Sequence, residues 1–435
     1  MSLSETLRRL QFGARLLRRG EGGQRDYWKS VATLTSGSFI SQGIGIASML
    51  VVARLYGPAE MGAYALFFAY AGLLSLIATA KFDAAVFMAR RPSEAADLAM
   101  LAILISLIVA AAIVLLSPLL EFLVASVTDR PIFFLMLLAL GTATGGGMMA
   151  VSALAMQLKE FTLVTSGRMA QSLVTAALAI GLGLAGWDAT GLIIAFVAGQ
   201  TVVCVMLGWR LSILAHARRF GWREARTRAR RNARFPQYML LGEGMNYFGN
   251  NALAFVTPGL FGAASLGQFN LGQRVAGIPI YVIGTSMAGI FRTAVSPQHA
   301  APAEILGIFR SSFVRLCAIG AVLTLPLLLA GPLLFRIAFG AQWHDAGFYV
   351  QIISPLIFLR FVVSPLSVVL LLANRQKLDT VLQALFVVAA FAAVGFGAWT
   401  GSFLHMVIAV TALQGAVYGV YLAVSYKLAK DMSRQ

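Results

Sequence analysis

Glu243, Asn246 and Asn250 recur at i, i+3 and i+7 in the segment GEGMNYFGNN. That spacing sets one carboxylate and two carboxamides on a single helix face. Such a face can hold an ion or proton, or hydrogen-bond the hydroxyls of a sugar. Five basic residues stand in comparable surroundings, in or at the end of long apolar runs: Arg54, Lys81, Arg168, Arg274 and Arg360. A guanidinium in a partly dehydrated cavity suits a phosphate, because it offers fixed donors and keeps its charge. Charged groups in apolar runs are costly and mark function by default. Each also has a plainer use. Arg54, Lys81 and Arg274 lie near run ends and can snorkel to lipid headgroups; Lys81 also has Asp83 close by in sequence. Arg168 can neutralise Glu243, so Glu243 is either an ion-coupling group or the partner of a buried arginine. Arg360 lies more than 10 residues from either end of its run, and a role in a cavity explains it best.

The elements that carry these residues must be membrane spans. The 435-residue chain is 59% hydrophobic and 12% charged, with a mean hydropathy of +0.80, whereas a soluble domain is about 25% charged. A spanning helix needs about 20 apolar residues. Twelve such stretches occur, at 31–54, 62–82, 97–117, 131–155, 162–186, 189–213, 237–260, 274–296, 311–332, 347–372, 379–398 and 402–426. The runs are continuous and long, which predicts helices rather than barrel strands. The expected fold is therefore an all-α, polytopic membrane protein of about twelve transmembrane helices.

Charge gives the orientation. The net charge is +17, and 28 of the 34 Lys and Arg lie in the two tails, in even-numbered connections, or within five residues of such a connection. Such residues mark cytoplasmic segments, so both termini are expected inside and the number of spans even. Nucleic acid is not needed to explain the basic charge. Residues 2–19 open with Ser2-x-x-Glu5, a capping-box pattern. Leu3, Leu7, Leu10 and Leu17 then share one face, which predicts a helix lying on the cytoplasmic leaflet, hinged by the glycines at 20–23. The connection at 216–235 carries eight Arg and one Glu. It reads first as a solvated basic loop, and second as a patch attracted to anionic membrane lipids.

The chain also repeats itself. YGPAEMGAYAL (56–66) and FGAASLGQFNL (261–271) stand at a constant offset of 205. Gly57, Ala59, Gly62 and Leu66 fall on Gly262, Ala264, Gly267 and Leu271, and Tyr56 and Tyr64 fall on Phe261 and Phe269. The register continues outward: Ala47, Val51 and Leu55 meet Ala252, Val256 and Leu260, and Pro92 meets Pro297. Sustained register of this kind indicates duplication. Each copy holds six spans, so both cross in the same direction, related by a pseudo-two-fold axis along the membrane normal. The expected organisation is a cytoplasmic N-terminal segment (1–30), an N-lobe (31–213), a basic connection (214–236), a C-lobe (237–427) and a tail (428–435). The repeated segment is then the short turn after the first helix of each copy, with glycines for a tight turn and close helix approach.

No enzyme signature, phosphate loop or metal-ligand spacing is present, and no cofactor is expected. His216, His299, His344 and His405 are scattered, and Cys204 and Cys317 read as packing residues. GTATGGGMM (141–149) reads as a close-packing or bending segment.

The segments 55–90 and 266–297, with the turn YGP, the run GQR followed by a proline, and NRQKL (374–378), resemble the polysaccharide transporter family. These are Wzx-type O-antigen and exopolysaccharide flippases, in the superfamily that also holds multidrug antiporters and the lipid II flippase. The resemblance implies a two-lobed bundle in the bacterial inner membrane that opens to one side at a time. The substrate it implies is an oligosaccharide linked to undecaprenyl pyrophosphate, with Arg274 of the GQR run carried over as an anion-binding residue. Partners would be that lipid, surrounding membrane lipids, and polymerase and chain-length machinery. Two alternatives stand beside this. A multidrug cation antiporter would want net acidic charge in its cavity. A membrane polymerase or ligase would want a large periplasmic loop or an acid/base constellation.

Overall fold

The structure is a computed structural model. It describes residues 23–125, 128, 130–213, 221–233, 235–295, 302–373 and 375–434. The expected surface helix at 2–19 lies outside them. The described chain is helical throughout, with no strand, and groups into two compact units.

The first unit takes in described residues up to Met49, then Tyr70–Val124 and Arg130–Gly244. Its helices are most of α1 (Gly23–Leu55), the later part of α2 (Pro58–Ala78), α3 (Phe82–Val86), α4 (Pro92–Leu120), α5 (Pro131–Gln157), α6 (Phe161–Leu184), α7 (Ala189–Arg210) and α8 (Trp222–Arg231). The starts follow simple rules. Proline opens α2, α4 and α5, where its missing N–H costs nothing. Asp188 caps α7 by accepting from the Thr190 N–H at 2.9 Å. The three consecutive glycines of the expected close-packing segment sit in α5, each against a different helix. A Cβ at Gly145 would lie 2.3 Å from Ser75 Oγ in α2, one at Gly146 2.2 Å from Ser106 Oγ in α4, and one at Gly147 2.8 Å from Cys204 Sγ in α7. Helix α5 is thus the hub of this unit, and Cys204 is a packing thiol.

The second unit comprises Leu50–Ala69 and the chain from Met245 onward. It holds the turn between α1 and α2 together with α10 (Ala252–Phe261), α11 (Ala263–Ala294), α12 (Ile305–Phe339), α13 (His344–Leu366), α14 (Val368–Leu372), α15 (Gln376–Thr400) and α16 (Phe403–Met432). Helix α9 (Leu240–Asn250) runs from one unit into the other.

Nine described helices are long and apolar enough to cross a bilayer: α2, α4, α5, α6, α7, α12, α13, α15 and α16. They carry nine of the expected spans; the first, seventh and eighth fall on α1, on α9 with α10, and on α11. Their outward faces expose Leu115, Leu329 and Trp399 by 80%, 75% and 83%, as lipid-facing side chains must be. The protein is a multi-pass membrane protein.

Two elements differ from expectation. The seventh span is broken at Asn251, after a π-helical turn at Phe235–Met239. The side-chain amides of Asn250 and Asn251 donate to the carbonyls of Asn246 and Tyr247, both at 2.9 Å, and so compete with the backbone ladder. The basic connection, expected as a loop, is helical over its described part, with Arg226, Arg230 and Arg231 exposed. Residues 222–231 form α8, and Arg228 pairs with Asp97 at the start of α4.

The repeated segments touch one another within the second unit. A Cβ at Gly62 would lie 1.8 Å from the carbonyl oxygen of Ala263, and one at Gly267 1.8 Å from that of Pro58. Pro58 and Ala263 are the first residues of α2 and α11 and are counterparts at the offset of 205, as are the two glycines. Around the crossing Met61, Tyr64 and Leu66 are buried, and so are Leu266, Phe269 and Leu271. Of the turn glycines, Gly262 has a positive φ of 83°, a conformation that favours glycine. Gly57 is not in that region; its N–H instead donates to Glu60 in the first turn of α2.

Candidate functional site

The first unit brings two of the sequence-selected residues together. Lys81 Nζ lies 2.6 Å from Glu243 Oε2, with side-chain exposures of 6% and 45%. Lys81 links α2 to α3 in a left-handed conformation (φ 59°). Its own N–H donates to Thr79 Oγ1 at 3.3 Å, which fixes where the side chain departs. Two expectations are corrected here. Lys81 is buried and does not snorkel, and Glu243 pairs with Lys81, a partner the sequence did not name. Asp83, two residues on, is also buried, and its Oδ1 has no hydrogen-bond partner among the described residues. Arg168 stands exposed on α6 in this unit.

The remaining selected residues lie in the second unit. The carboxamides of Asn246 and Asn250 are both exposed and bonded to each other, Asn250 Nδ2 to Asn246 Oδ1 at 2.7 Å. The i+4 spacing does place them on one face, while Glu243 is taken up by its lysine. Arg274 is exposed on α11 with its guanidinium 6.0 Å from the Phe68 ring centroid, a cation–π distance. Arg360 is exposed on α13, with the Tyr418 phenol as an electrostatic neighbour. Arg54 donates from Nη2 to the carbonyls of Ala338 at 3.0 Å and Ile337 at 3.4 Å. These belong to the last turn of α12, where unsatisfied carbonyls and the helix dipole both favour a cation.

Sequence reasoning missed a clasp around that same end of α1. Trp343 Nε1 donates to the Ala53 carbonyl at 2.6 Å, and Gln342 Nε2 donates to the same oxygen at 2.9 Å. Gln268 Nε2 donates to the Gln342 carbonyl at 2.7 Å, and Gln268 Oε1 accepts from the Ala346 N–H at 2.9 Å. Trp343 and Tyr56 are fully buried here. The available signal was the glutamine at 268, directly after the repeat glycine. Among the described residues, no group of three His, Cys, Asp or Glu is placed to hold a metal ion.

Chemically, the arrangement offers separate fixed cations at the edges and faces of apolar helices, with a single carboxylate among the selected residues.

Solved structures share this fold. An inward-facing multidrug resistance MATE family transporter of the MOP superfamily aligns with a TM-score of 0.61 and 15% identity, over 91% of this chain and 96% of its own. The inward closed lipid II flippase MurJ aligns with a TM-score of 0.67 and 11% identity, over 92% and 89%. A MOP superfamily transporter from Pyrococcus furiosus, described as having a binding pocket of reverse polarity, aligns at 0.52 and 13%, over 93% and 96%. No curated protein matches the sequence. The family described as polysaccharide biosynthesis protein matches residues 51–347. The match takes in the crossing of the repeats, Lys81, Glu243, Arg168 and Arg274, and on its extent the chain belongs to that family.

Proposed function

We propose that the protein is a flippase for an oligosaccharide linked to undecaprenyl pyrophosphate, moving it from the cytoplasmic to the periplasmic leaflet of a bacterial inner membrane by alternating access. The observation that carries this reading is the family match over 51–347 on a transporter fold. The likeness to a lipid II flippase supports a lipid-linked sugar. Both termini would be cytoplasmic, and the lobes would be 31–213 and 237–427. Arg168, Arg274 and Arg360 would hold the pyrophosphate at successive depths, because an unpaired anion in the apolar centre is very costly. Lys81 would serve near the cytoplasmic face, and Asn246 and Asn250 would meet sugar hydroxyls. Arg54 would chiefly cap α12, and the polyprenyl tail would stay in lipid. A polymerase and chain-length regulator would receive the product.

The multidrug antiporter reading shares the fold, but the sign of the charge is against it: among the selected residues five are cations and one is a carboxylate. Deletion of the gene followed by analysis of lipid-linked sugars tests the proposal. The expected result is a complete repeat unit accumulating on the cytoplasmic leaflet. Accumulation of flipped single units would instead identify a polymerase and refute transport.

A further inference from the structure

We propose that Glu243 is an internal counter-anion of Lys81, and that a phosphate of the carried lipid displaces it. This rests on the flippase reading and names how one of its stations is kept when empty.

The two members of the pair are not equivalent. Lys81 is 6% exposed and Glu243 is 45% exposed, with 2.6 Å between Nζ and Oε2. The carboxylate is thus the solvent-facing member of the pair, and it occupies the acceptor position that an anion would take on the ammonium. The two partners also differ in freedom. Lys81 is pinned at the α2–α3 junction by its left-handed backbone and the bond from its N–H to Thr79. Glu243 lies in the first turn of α9, just after the π-helical turn. Glycines flank it on both sides. A Cβ at Gly242 would meet nothing within 4 Å, and one at Gly244 only Leu76 at 4.0 Å. The carboxylate's segment has room to move, and the ammonium's does not.

Energetics point the same way. A buried cation left unpaired is strongly destabilising, so a transporter that must offer Lys81 to an anion needs something to hold it between cycles. An ammonium has three donors, and a phosphate brings more acceptor oxygens than a carboxylate. Released into its half-exposed surroundings, Glu243 can be hydrated, which keeps the exchange close to balanced. Asp83, beside Lys81 in sequence, forms no ion pair with it among the described residues, so Glu243 is the group to be displaced.

The test measures binding of undecaprenyl pyrophosphate to the full-length protein in phosphatidylcholine nanodiscs, with undecaprenol as the uncharged control. Glu243→Gln removes the competitor and should tighten binding about tenfold, or about 1.4 kcal/mol. Lys81→Gln should weaken it by a similar factor. Should Glu243→Gln fold poorly, Glu243→Asp, whose shorter arm reaches Lys81 less well, should tighten binding about threefold, a factor that corresponds to roughly 0.7 kcal/mol. Affinity unchanged or weaker in both Glu243 variants would overturn the displacement and leave a structural ion pair, with the flippase reading intact. A wild-type protein that does not prefer the pyrophosphate lipid to undecaprenol would overturn both. Loss of the Glu243→Gln gain when phosphatidylglycerol is added would show that an ordinary headgroup occupies Lys81, and would overturn the assignment to the carried lipid.

Discussion

The crossing of the repeats makes a prediction that two unrelated contacts would not. In Gly62→Ala the new methyl carbon would stand 1.8 Å from the Ala263 carbonyl oxygen, against about 3.3 Å for an ordinary carbon–oxygen contact. The obstacle is backbone and cannot rotate away, so α2 and α11 must part by about 1.5 Å at their first turns. A gap of that size forfeits much of the dispersion energy along the crossing, and overpacking of this kind costs roughly 1–3 kcal/mol. Alanine returns about 1 kcal/mol through helix propensity, leaving a net loss of up to about 2 kcal/mol by that balance. Gly267→Ala should lose the same amount, because its clash with the Pro58 carbonyl has the same depth. One parting of the helices relieves both clashes, and each alanine brings its own propensity gain, so the double variant should lose no more than either single variant, and not twice as much. The assay is the half-life of the folded protein in detergent at fixed temperature. Each single variant should shorten it by up to about 30-fold, and the double variant by no more than either. Gly277→Ala is the control: it lies in α11 with nothing within 4 Å of its would-be Cβ, and should match or exceed wild type. Losses that add in the double variant, or single variants as stable as Gly277→Ala, would refute the shared crossing.

Arg360→Ala should abolish flipping, with Arg360→Lys restoring only part of it, because bidentate geometry matters where a phosphate is most dehydrated. Arg274→Ala should be severely impaired and Arg226→Ala nearly silent, all scored as surface polysaccharide restored in a deletion strain and normalised to membrane protein. Trp343→Phe removes the donor 2.6 Å from the Ala53 carbonyl; with Gln342 still donating to that oxygen, stability should fall by only about 1 kcal/mol, and the further removal of Gln342 should cost more than both single changes added. Asp97→Asn breaks the pair with Arg228, and trypsin should then cut among Arg226–Arg231 several times faster; an unchanged rate would show that α8 is held by other contacts.

The helices were legible because apolar runs and glycine turns are local. YGPAEMGAYAL and FGAASLGQFNL marked the starts of α2 and α11, and the glycines of 145–147 announced close packing. The charges were less legible. Lys81 and Glu243 are 162 residues apart, and nothing in either segment names the other. Lys81 read as a snorkelling residue because depth along a span says nothing about which neighbour covers it. The clasp at Ala53 was hidden for another reason: Trp343 and Gln342 donate to backbone carbonyls, which every residue possesses. Asp97 was not singled out from the sequence, and its partner lay in a segment whose arginines were already explained by topology.

The contact between Pro58–Gly62 and Ala263–Gly267 has the form of an isologous interface, in which one patch meets its own copy. Such a contact is the one a half-length polypeptide would make with a second copy of itself, and it ties the two glycines together, since each is held small by the other's backbone. The charges do not follow the repeat. At the offset of 205, Arg54, Lys81, Arg168, Glu243, Arg274 and Arg360 fall on Gly259, Ser286, Ala373, Ser38, Ala69 and Ala155. A homodimer of identical halves would carry every one of those charges twice. This chain carries each once, so its symmetry lies in the scaffold while each charge belongs to one half alone.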